Sequence, residues 1–483
     1  MTDDLCYATA TELAAAIREK EIGTGEVIDA YLRRIARLNP AVNAIVTLDE
    51  AGARRRAQEA DAALRRGEVW GPLHGVPVTI KDSIATAGLR TTSGSPSLRD
   101  YIPHEDATVV ARLRAAGAII LGKTNLPTFA ADSQTNNPVF GRTNNPWDLR
   151  RTPGGSSGGG AAAVAAGLIP LDLGSDWGGS LRAPAHFCGV FTIKPTDRRV
   201  PWTGHIPPAP GAPWGVRHIG IIGPLARSLD DVALALQIIS GPDNRDMEVP
   251  PVPLGPLPSL RLEGLRLAWT DDFGVSVSRD TQNALRALAR ELEQRGAVVE
   301  RRVPEGFDLE KAWEVWGEIR QAEAGSSQEP EVERAEAARF GVSLASEVPW
   351  LRGRAKVINA TLRQYSEVLE ERDALIRPLE QFLTQWEAWL CPVTLGPAFP
   401  HCETGVPVPV DGYPVPYWIA TGVYLMPFNV TGSPAVVLPL ARSTEGLPIG
   451  LQVVGKRWEE MKLLAVATEI ARVMGPFRRP PSF

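Results

Sequence analysis

The sequence predicts an α/β fold in which one large mixed, mostly parallel sheet is covered by helices on both faces. Short apolar runs rich in Val and Ile alternate with longer stretches that have a helical period. Strand signals return near the C-terminus after a long helical stretch, which favours one sheet with a helical insertion. The chain has 483 residues, of which 44% are hydrophobic, so it can bury a large core.

The N-terminal quarter is predicted to begin with helices and to continue into alternating strands and helices. Thr9 followed by Glu12 fits a capping box, which marks the start of a helix. A second helix has Val27 and Tyr31 on its apolar face and is expected to stop near Pro40. The further elements are a strand at 44–48, a helix at 51–66, a strand at 76–80, a helix at 109–116 and a strand at 118–121.

The rest of the chain continues this alternation around a long helical stretch. Ser228 is a helix cap, and its helix is expected to reach Ile239. Residues 308–379 are predicted to be helical, with an acidic turn at 326–333. The other predicted strands cover 168–173, 189–193, 265–269, 298–303, 435–440 and 449–454, and the other predicted helices cover 160–167, 281–295 and 459–473.

Composition and charge exclude several classes of protein. The 51 basic and 56 acidic residues give a net charge of −5, which argues against general nucleic-acid binding because that requires a basic face. Four cysteines without a C-x-x-C pair indicate reduced thiols. The uncharged runs at 152–171 and 412–441 hold too many glycines or prolines for a membrane span, and the acidic N-terminus lacks the start of a signal peptide. We therefore expect a cytoplasmic protein with a small-molecule partner, without nucleic acid or membrane.

A lysine at the end of an apolar strand is the first candidate functional residue. Lys81 directly follows the run at 76–80. Burial disfavours the charged form of an amine, which lowers its pKa and allows it to act as a base. The alternative is a surface lysine whose charged end reaches solvent.

Two glycine-rich segments carry candidate serines. Residues 153–160 contain a pair of serines among five glycines and lead into an alanine-rich helix, which argues against a flexible linker. In the second segment two glycines precede Ser180, so successive N–H groups can point to one spot, as an oxyanion hole requires. We expect Ser180 to be a nucleophile, and an ordinary turn is the alternative.

Together these segments resemble the amidase signature family. The resemblance is dense over about 70–225 and returns at 425–455, whereas about 230–420 is the part that varies in the family. The spacing of 24 residues from Ser156 to Ser180 fits the family's catalytic layout. The matching stretches are 71–82, 116–125, 142–148, 152–185, 428–432 and 446–455.

The resemblance implies a serine amide hydrolase with a Ser-cisSer-Lys triad. Ser180 would attack the substrate carbonyl, while Ser156, whose peptide bond is cis in such enzymes, would pass the proton to neutral Lys81. Ser156 would then protonate the leaving nitrogen, and water would hydrolyse the acyl-enzyme. The resemblance also implies an oxyanion hole built from Trp177, Gly178, Gly179 and Ser180, and supporting contacts from Ser157, Asp176 and Arg182.

The sequence departs from the family pattern at three positions outside the triad. Trp177 stands where a smaller residue is usual, so it could narrow the acyl pocket or form an aromatic wall. Gly160 replaces a frequent serine. Arg198 replaces the usual glycine after Lys-Pro-Thr, which puts the conformation of that loop in question.

Two segments of the sequence also match the patterns of unrelated functional motifs. Residues 117–124 fit a phosphate-binding loop, but their four middle residues are themselves the apolar strand. Residues 154–158 fit the nucleophile elbow of Ser-His-Asp hydrolases. No histidine has metal-ligand spacing, so we expect neither metal nor cofactor. The elbow would need one of four histidines as its base: His186, His205, His218 or His401.

We expect one amidase-signature domain over residues 1–483, in four parts. These are an N-terminal helical part at 1–70, the catalytic core at 71–225, a variable substrate-pocket region with the helical insertion at 230–420, and the return to the sheet at 425–483.

Aromatic residues in the variable region indicate the substrate class. A pocket lined by them would favour small hydrophobic or aryl amides, and the same chemistry extends to carbamates (urethanes), oligoamides and esters. Core packing is the alternative for each ring. The aromatic residues concerned are Trp313, Trp316, Trp350, Trp386, Trp389, Tyr413, Tyr417, Trp418, Tyr424 and Phe428.

The family also includes a glutamine-dependent amidotransferase subunit that supplies ammonia to a partner in the amidation of tRNA. Residues 202–224 do not resemble the corresponding segment of that protein, so we favour a stand-alone amidase and keep the amidotransferase component as the alternative. A homodimer is compatible with this expectation.

Overall fold

The structure is a computed structural model that describes residues 2–212, 215–325, 337–338 and 341–483. Its helices are α1 (Thr2–Leu5), α2 (Ala10–Arg18), α3 (Thr24–Val42), α4 (Glu50–Arg65), α5 (Thr108–Ala115), α6 (Gly158–Ala165), α7 (Arg182–Cys188), α8 (Leu229–Ile239), α9 (Arg279–Gln294), α10 (Leu309–Gly325), α11 (Pro349–Lys356), α12 (Leu362–Phe382), α13 (Tyr417–Gly422), α14 (Met426–Val430) and α15 (Glu460–Met474).

The strands fall into one large sheet and two small hairpins. They are β1 (Ile45–Leu48), β2 (Pro77–Lys81), β3 (Ile119–Thr124), β4 (Asn136–Asn137), β5 (Gly141–Arg142), β6 (Leu171–Asp176), β7 (Phe191–Lys194), β8 (Ile221–Ala226), β9 (Arg266–Trp269), β10 (Val298–Arg301), β11 (Ala388–Pro392), β12 (Val408–Val410), β13 (Tyr413–Val415), β14 (Ala435–Arg442) and β15 (Pro448–Val454). The hairpins are β4 with β5 and β12 with β13.

The large sheet of the described residues is mixed, as predicted. Its strand order is β1-β3-β2-β6-β8-β7-β14-β15-β11-β9-β10. Parallel pairs join β3 to β2, β2 to β6, β11 to β9 and β9 to β10. The other six neighbouring pairs are antiparallel, so antiparallel pairs outnumber the four parallel ones in this sheet. The expected α/β class is therefore confirmed.

The central strands are buried over their full length. Every residue of β2, β3, β6, β7, β8, β11 and β15 is buried. A strand that is buried at every position has both faces covered, which requires helices on each side of the sheet. Two groups of helices provide this cover: α6 packs with α7, and α8 packs with α15. Among the described residues no helix is long and apolar enough to cross a membrane.

Several local predictions are confirmed and a few boundaries are wrong. The Thr9 capping box is present, and the Ser228 hydroxyl caps α8. The helix expected to stop near Pro40 continues to Val42. The strand expected at 168–173 lies instead at 171–176, because its polar end is buried in the candidate site. Strands β8 and β11 were not predicted, and the acidic turn at 326–333 lies outside the described residues.

Candidate active site

Two parallel strands and two helix starts meet at one edge of the sheet. Lys81 is the last residue of β2, and Asp176 is the last residue of the neighbouring strand β6. Because parallel neighbours end at the same edge, these side chains come close together. Ser156 lies two residues before α6, and Ser180 lies two residues before α7. The chain thus brings together all the residues that the sequence assigned to the site.

The Lys81 amine is buried among three serine hydroxyls. Lys81 has no exposed surface, and its Nζ atom lies 2.6 Å from Ser156 Oγ, 3.0 Å from Ser157 Oγ and 3.1 Å from Ser175 Oγ. Burial lowers the pKa of Lys81 to about 7, although the negative charge of Asp176 opposes this shift. A large fraction of this lysine is therefore neutral near pH 7, as a base must be.

The Gly/Ser segment requires its glycines for close packing. The Gly155–Ser156 peptide bond is cis, as the resemblance implies, and Ser156 is buried. A Cβ atom on Gly155 would lie 2.6 Å from the Asp132 carbonyl oxygen. Gly154 has a positive φ of 85°, and its Cβ would lie 3.0 Å from the backbone of Pro184. This segment is therefore a rigid part of the site and not a linker.

Ser180 lies on the wall of a pocket that also contacts Gly155 and Trp177. It is half-buried, and its carbonyl accepts a hydrogen bond from the Ser157 N–H (3.0 Å), which links the two serine segments. Within the described residues its hydroxyl makes no hydrogen bond, so the link from Ser156 to Ser180 is not closed in this structure. Such catalytic hydrogen bonds are often long before substrate binds.

The loop before Ser180 is shaped by two neighbouring side chains. A Cβ atom on Gly178 would lie 2.9 Å from the Trp316 ring, and one on Gly179 would lie 2.3 Å from Leu425 Cδ1. Gly179 also has a φ of 118°, which favours glycine. The Trp316 indole N–H donates to the carbonyl of Trp177 (2.7 Å), which fixes the loop further.

One of the four expected oxyanion donors is already engaged. The Gly179 N–H donates to Asp176 Oδ1 (2.8 Å), so the expectation that it faces an oxyanion needs correction for this structure. In the described part of the chain the N–H groups of Trp177, Gly178 and Ser180 have no such partner. Three donors therefore remain beside the pocket.

Asp176 and Arg182 form a fully buried ion pair that supports this loop. Arg182 Nε lies 3.0 Å from Asp176 Oδ2, and the same carboxylate accepts the N–H of Leu181 (3.1 Å). Burial alone would raise the pKa of Asp176, but the positive charge and hydrogen bonds of Arg182 hold it well below its usual range. Asp176 is therefore a permanent anion that holds the loop.

The sequence analysis did not predict a role for two polar residues of the site. Asn429 donates to Asp176 Oδ1 (2.9 Å), and its own oxygen accepts from Arg182 Nη2 (2.5 Å). Gln452 accepts from Arg182 Nη1 (2.8 Å). Both lie in the C-terminal stretches that resemble the family, 428–432 and 446–455. Their match to the family was therefore the only sequence feature that could have pointed to these two residues.

The three departures from the family pattern have structural explanations. A Cβ atom on Gly160 would lie 1.9 Å from Asp172 Oδ1, so this carboxylate occupies the space that a serine would need. Arg198 has a φ of 64°, a left-handed conformation that favours glycine. Trp177 is half-buried on the pocket wall, a position compatible with either of its two expected roles.

The rival motifs do not fit the geometry. Lys123 lies in strand β3, and its amine donates to Thr86 Oγ1 (2.8 Å) and Thr91 Oγ1 (3.2 Å) in a buried setting. A phosphate-binding loop is therefore excluded at this position. Ser156 contacts Lys81, and none of its hydrogen bonds among the described residues involves a histidine. The nucleophile-elbow interpretation consequently has no base.

Five aromatic rings lie on the wall of the pocket next to Ser180. Of the predicted aromatic residues, three line it, and Trp177 and Phe129 complete the wall. The charged residues on the wall are Asp132, Arg320 and Arg354. The predicted rings at the pocket are Trp316, Trp350 and Trp418. The buried predicted rings that do not line the pocket are Trp313, Trp386, Trp389, Tyr417, Tyr424 and Phe428. Tyr413 is exposed.

Known proteins similar to this chain share one family. Residues 26–464 match the Amidase family. A glutamyl-tRNA(Gln) amidotransferase subunit of Roseiflexus castenholzii (strain DSM 13941 / HLO8) is 37% identical over 508 residues, 99% of this chain and 97% of the relative. A bacterial aryl acylamidase of the amidase signature enzymes has a TM-score of 0.81 at 25% identity and covers 99% of this chain and 97% of its own. The 6-aminohexanoate cyclic dimer hydrolase, in complex with substrate, has a TM-score of 0.80 at 27% identity and covers 99% of both chains.

Proposed function

This chain belongs to the Amidase family and is an amide hydrolase, and we propose that it cleaves small hydrophobic or aryl amides through an acyl-enzyme on Ser180. The observation that carries the proposal is the contact of 2.6 Å between the buried Lys81 amine and Ser156 Oγ, next to a pocket whose wall includes Ser180. A neutral amine in this position can take a proton from a serine.

Each residue of the proposed site has a separate part in the reaction. The Ser180 oxygen bonds to the carbonyl carbon while its proton passes to Ser156, whose own proton moves to Lys81 Nζ. The developing oxyanion is held by the N–H groups of Trp177, Gly178 and Ser180. Ser156 then protonates the leaving nitrogen and regains a proton from Lys81 as the C–N bond breaks. Water attacks the acyl-enzyme by the same relay, which frees Ser180.

The pocket wall supports the substrate class. Trp177, Trp316, Trp350 and Trp418 present flat apolar surface next to the nucleophile. Aromatic and aliphatic acyl groups gain the most from such a wall because they bury apolar area there. Carbamates, oligoamides and esters are further candidates, since they share the attack on a carbonyl and the oxyanion step.

A second candidate is an amidotransferase subunit that hydrolyses glutamine and passes ammonia to a partner. Two observations favour it: the 37% identity to such a protein, and the presence of Asp132, Arg320 and Arg354 on the pocket wall. Opposite charges in one pocket are what the ammonium and carboxylate groups of a free amino acid require.

The two candidates are separated by turnover with the purified chain alone. The panel contains an aliphatic amide, an aryl amide, an anilide, an alkyl carbamate, an ester and glutamine, with Ser180→Ala as the control. We expect the aryl amide or anilide to have the highest kcat/KM and glutamine to have the lowest. Preference for glutamine, or activity that requires a second protein component, would favour the amidotransferase.

A further inference from the structure

His205 is a buried histidine that the proposed reaction does not use directly. It lies in the loop after β7, and its ring stacks on Trp202 with 3.8 Å between the ring centres. Its Nε2 atom lies 2.9 Å from Ser175 Oγ and 3.1 Å from Ser83 Oγ. Because Ser175 Oγ also contacts Lys81 Nζ at 3.1 Å, one hydroxyl separates this histidine from the proposed base.

The tautomer of His205 is fixed by its other nitrogen. Nδ1 lies 3.2 Å from the carbonyl oxygen of Pro207. A carbonyl oxygen can only accept, so Nδ1 carries the hydrogen and Nε2 of the neutral ring is an acceptor. Burial and the positive charge of Lys81 lower the pKa of His205 well below its usual value, which keeps the ring neutral.

The acceptor at Nε2 determines the direction of the next hydrogen bonds. Ser175 Oγ is the nearer of the two hydroxyls at Nε2 (2.9 Å, against 3.1 Å for Ser83 Oγ), so we assign its hydrogen to His205, and toward Lys81 it can then only accept. Ser157 donates its hydroxyl hydrogen to the Ser175 carbonyl (3.1 Å), so it too can only accept from Lys81. A neutral amine has two hydrogens and one lone pair. With both hydrogens assigned to Ser157 and Ser175, the lone pair is left for Ser156.

We propose that His205 is a positioning residue, which accepts the Ser175 hydroxyl hydrogen and thereby directs the Lys81 lone pair to Ser156. The inference rests on the proposed function, because it takes Lys81 as the base. His205 touches neither the reacting atoms nor the pocket wall, and it acts through Ser175.

The test follows the rate of labelling by a fluorophosphonate, which does not require the natural substrate. In this reaction the Ser180 oxygen bonds to phosphorus, the P–F bond breaks and fluoride leaves, while the serine proton passes to Lys81. The rate against pH reports the ionisation of Lys81, and its plateau reports how often the base is correctly oriented.

We expect His205→Leu to change both quantities. The plateau rate falls about tenfold, the size expected for one lost hydrogen bond in a buried site. The freed Ser175 hydroxyl can then donate to the Lys81 lone pair, which stabilises the neutral amine, so the midpoint of the profile moves to lower pH. His205→Gln retains an acceptor and is expected to stay within about threefold of the unmodified chain.

Three further variants make the result unambiguous. Ser175→Ala is expected to lower the plateau as His205→Leu does, but without the shift of the midpoint, because that shift needs the Ser175 hydroxyl. The double variant is expected to have the plateau of Ser175→Ala alone, because His205 acts through Ser175. His74→Gln changes another fully buried histidine, and it is expected to leave the profile unchanged. If His205→Leu does not fold, the proposal is tested by comparing the labelling rates of His205→Gln and Ser175→Ala.

Two outcomes overturn different claims. If Lys81→Ala labels at the rate of the unmodified chain, the proposed function fails. If Lys81→Ala is inactive but His205→Leu keeps the plateau and midpoint, or Ser175→Ala keeps the plateau, only the positioning role fails. Additive losses in the double variant also contradict the positioning role.

Discussion

Lys81 sets the pH at which the proposed reaction can run. The base must be neutral, and burial lowers the pKa of Lys81 from its ordinary value of 10.5 to about 7. The neutral fraction rises with pH, so we expect kcat/KM to increase through a midpoint near pH 7 and to level off above it. The measurement is kcat/KM for a neutral amide across this range. A midpoint near pH 10.5, the ordinary pKa of lysine, would contradict the assignment of buried Lys81 as the base.

The Asp172 carboxylate occupies the space that a side chain at position 160 would need. The Asp172 carboxylate accepts from Thr79 (2.7 Å) and Thr124 (2.9 Å), and burial raises its pKa to about 6. Because an added Cβ on Gly160 would lie 1.9 Å from Asp172 Oδ1, we expect Gly160→Ala to destabilise the protein by about 1–3 kcal/mol.

The matched test is a double-variant cycle followed by urea unfolding. Asp172→Ala removes the clash, so the double variant Gly160→Ala/Asp172→Ala is expected to be more stable than the sum of the two single effects predicts. Additivity would show that the two residues do not compete for this space.

At the residue scale the sequence identified the proposed reacting residues but not all the residues that contact them. Lys81, Ser156 and Ser180 were identified by motif, because each lies in a short segment with a recognisable pattern. Ser175 and His205 were not assigned roles, since a serine in a strand and a histidine in a proline-rich loop carry no local signal. Their contacts depend on how distant segments pack.

At the element scale, helices α10 and α11 form the aromatic side of the pocket. The two backbones touch, because a Cβ on Gly353 would lie 2.0 Å from the Glu314 carbonyl oxygen and one on Gly317 would lie 2.0 Å from that of Trp350. This close approach brings Trp316 and Trp350 together with their rings edge to face. The wall of the pocket therefore depends on two glycines that lie outside it.

Gly353→Ala is expected to separate these helices and disturb the aromatic wall. We expect a loss of about 1–3 kcal/mol in the free energy of unfolding and a higher KM for an aryl amide. The pH midpoint set by Lys81 should stay the same, since the base lies on another element. Gly25→Ala, in helix α3, is the control because its Cβ meets only an ordinary contact at 3.5 Å. Unchanged KM and stability in Gly353→Ala would refute the role of this contact.

Strands β11 and β8 were not predicted because their sequences give only a weak strand signal. β11 is a short apolar run next to a long helical stretch, where periodicity alone does not separate a buried strand from a helix. β8 contains Gly223 and Pro224, which weaken a strand signal. Amphipathic surface helices such as α9 were predicted well, because one polar and one apolar face give a clear period.

At the scale of the whole molecule, the Asp176–Arg182 pair joins distant parts of the chain. Arg182 donates to Asp176, to Asn429 Oδ1, to Gln452 Oε1 and to the Leu425 carbonyl. Residues 176–182 and residues 425–452 are therefore held together at one guanidinium.

Arg182→Met is expected to leave the Asp176 charge buried without its cation. The free energy of unfolding should fall by about 3–5 kcal/mol. The measurement is urea denaturation. Arg479→Met, at an exposed pair with Asp4, is the control and should change the stability by less than about 1 kcal/mol. Equal small effects of the two substitutions would show that the buried pair does not hold these regions together.

In the proposed reaction, Ser180 is a nucleophile activated through Ser156 by Lys81. The most direct test treats the protein with a fluorophosphonate, locates the adduct by peptide mass mapping and compares labelling rates with Lys81→Ala. We expect one adduct, on Ser180, and a labelling rate at least about 100-fold lower in Lys81→Ala. An adduct on Ser156 instead, or labelling of Ser180 at an unchanged rate in Lys81→Ala, would contradict it.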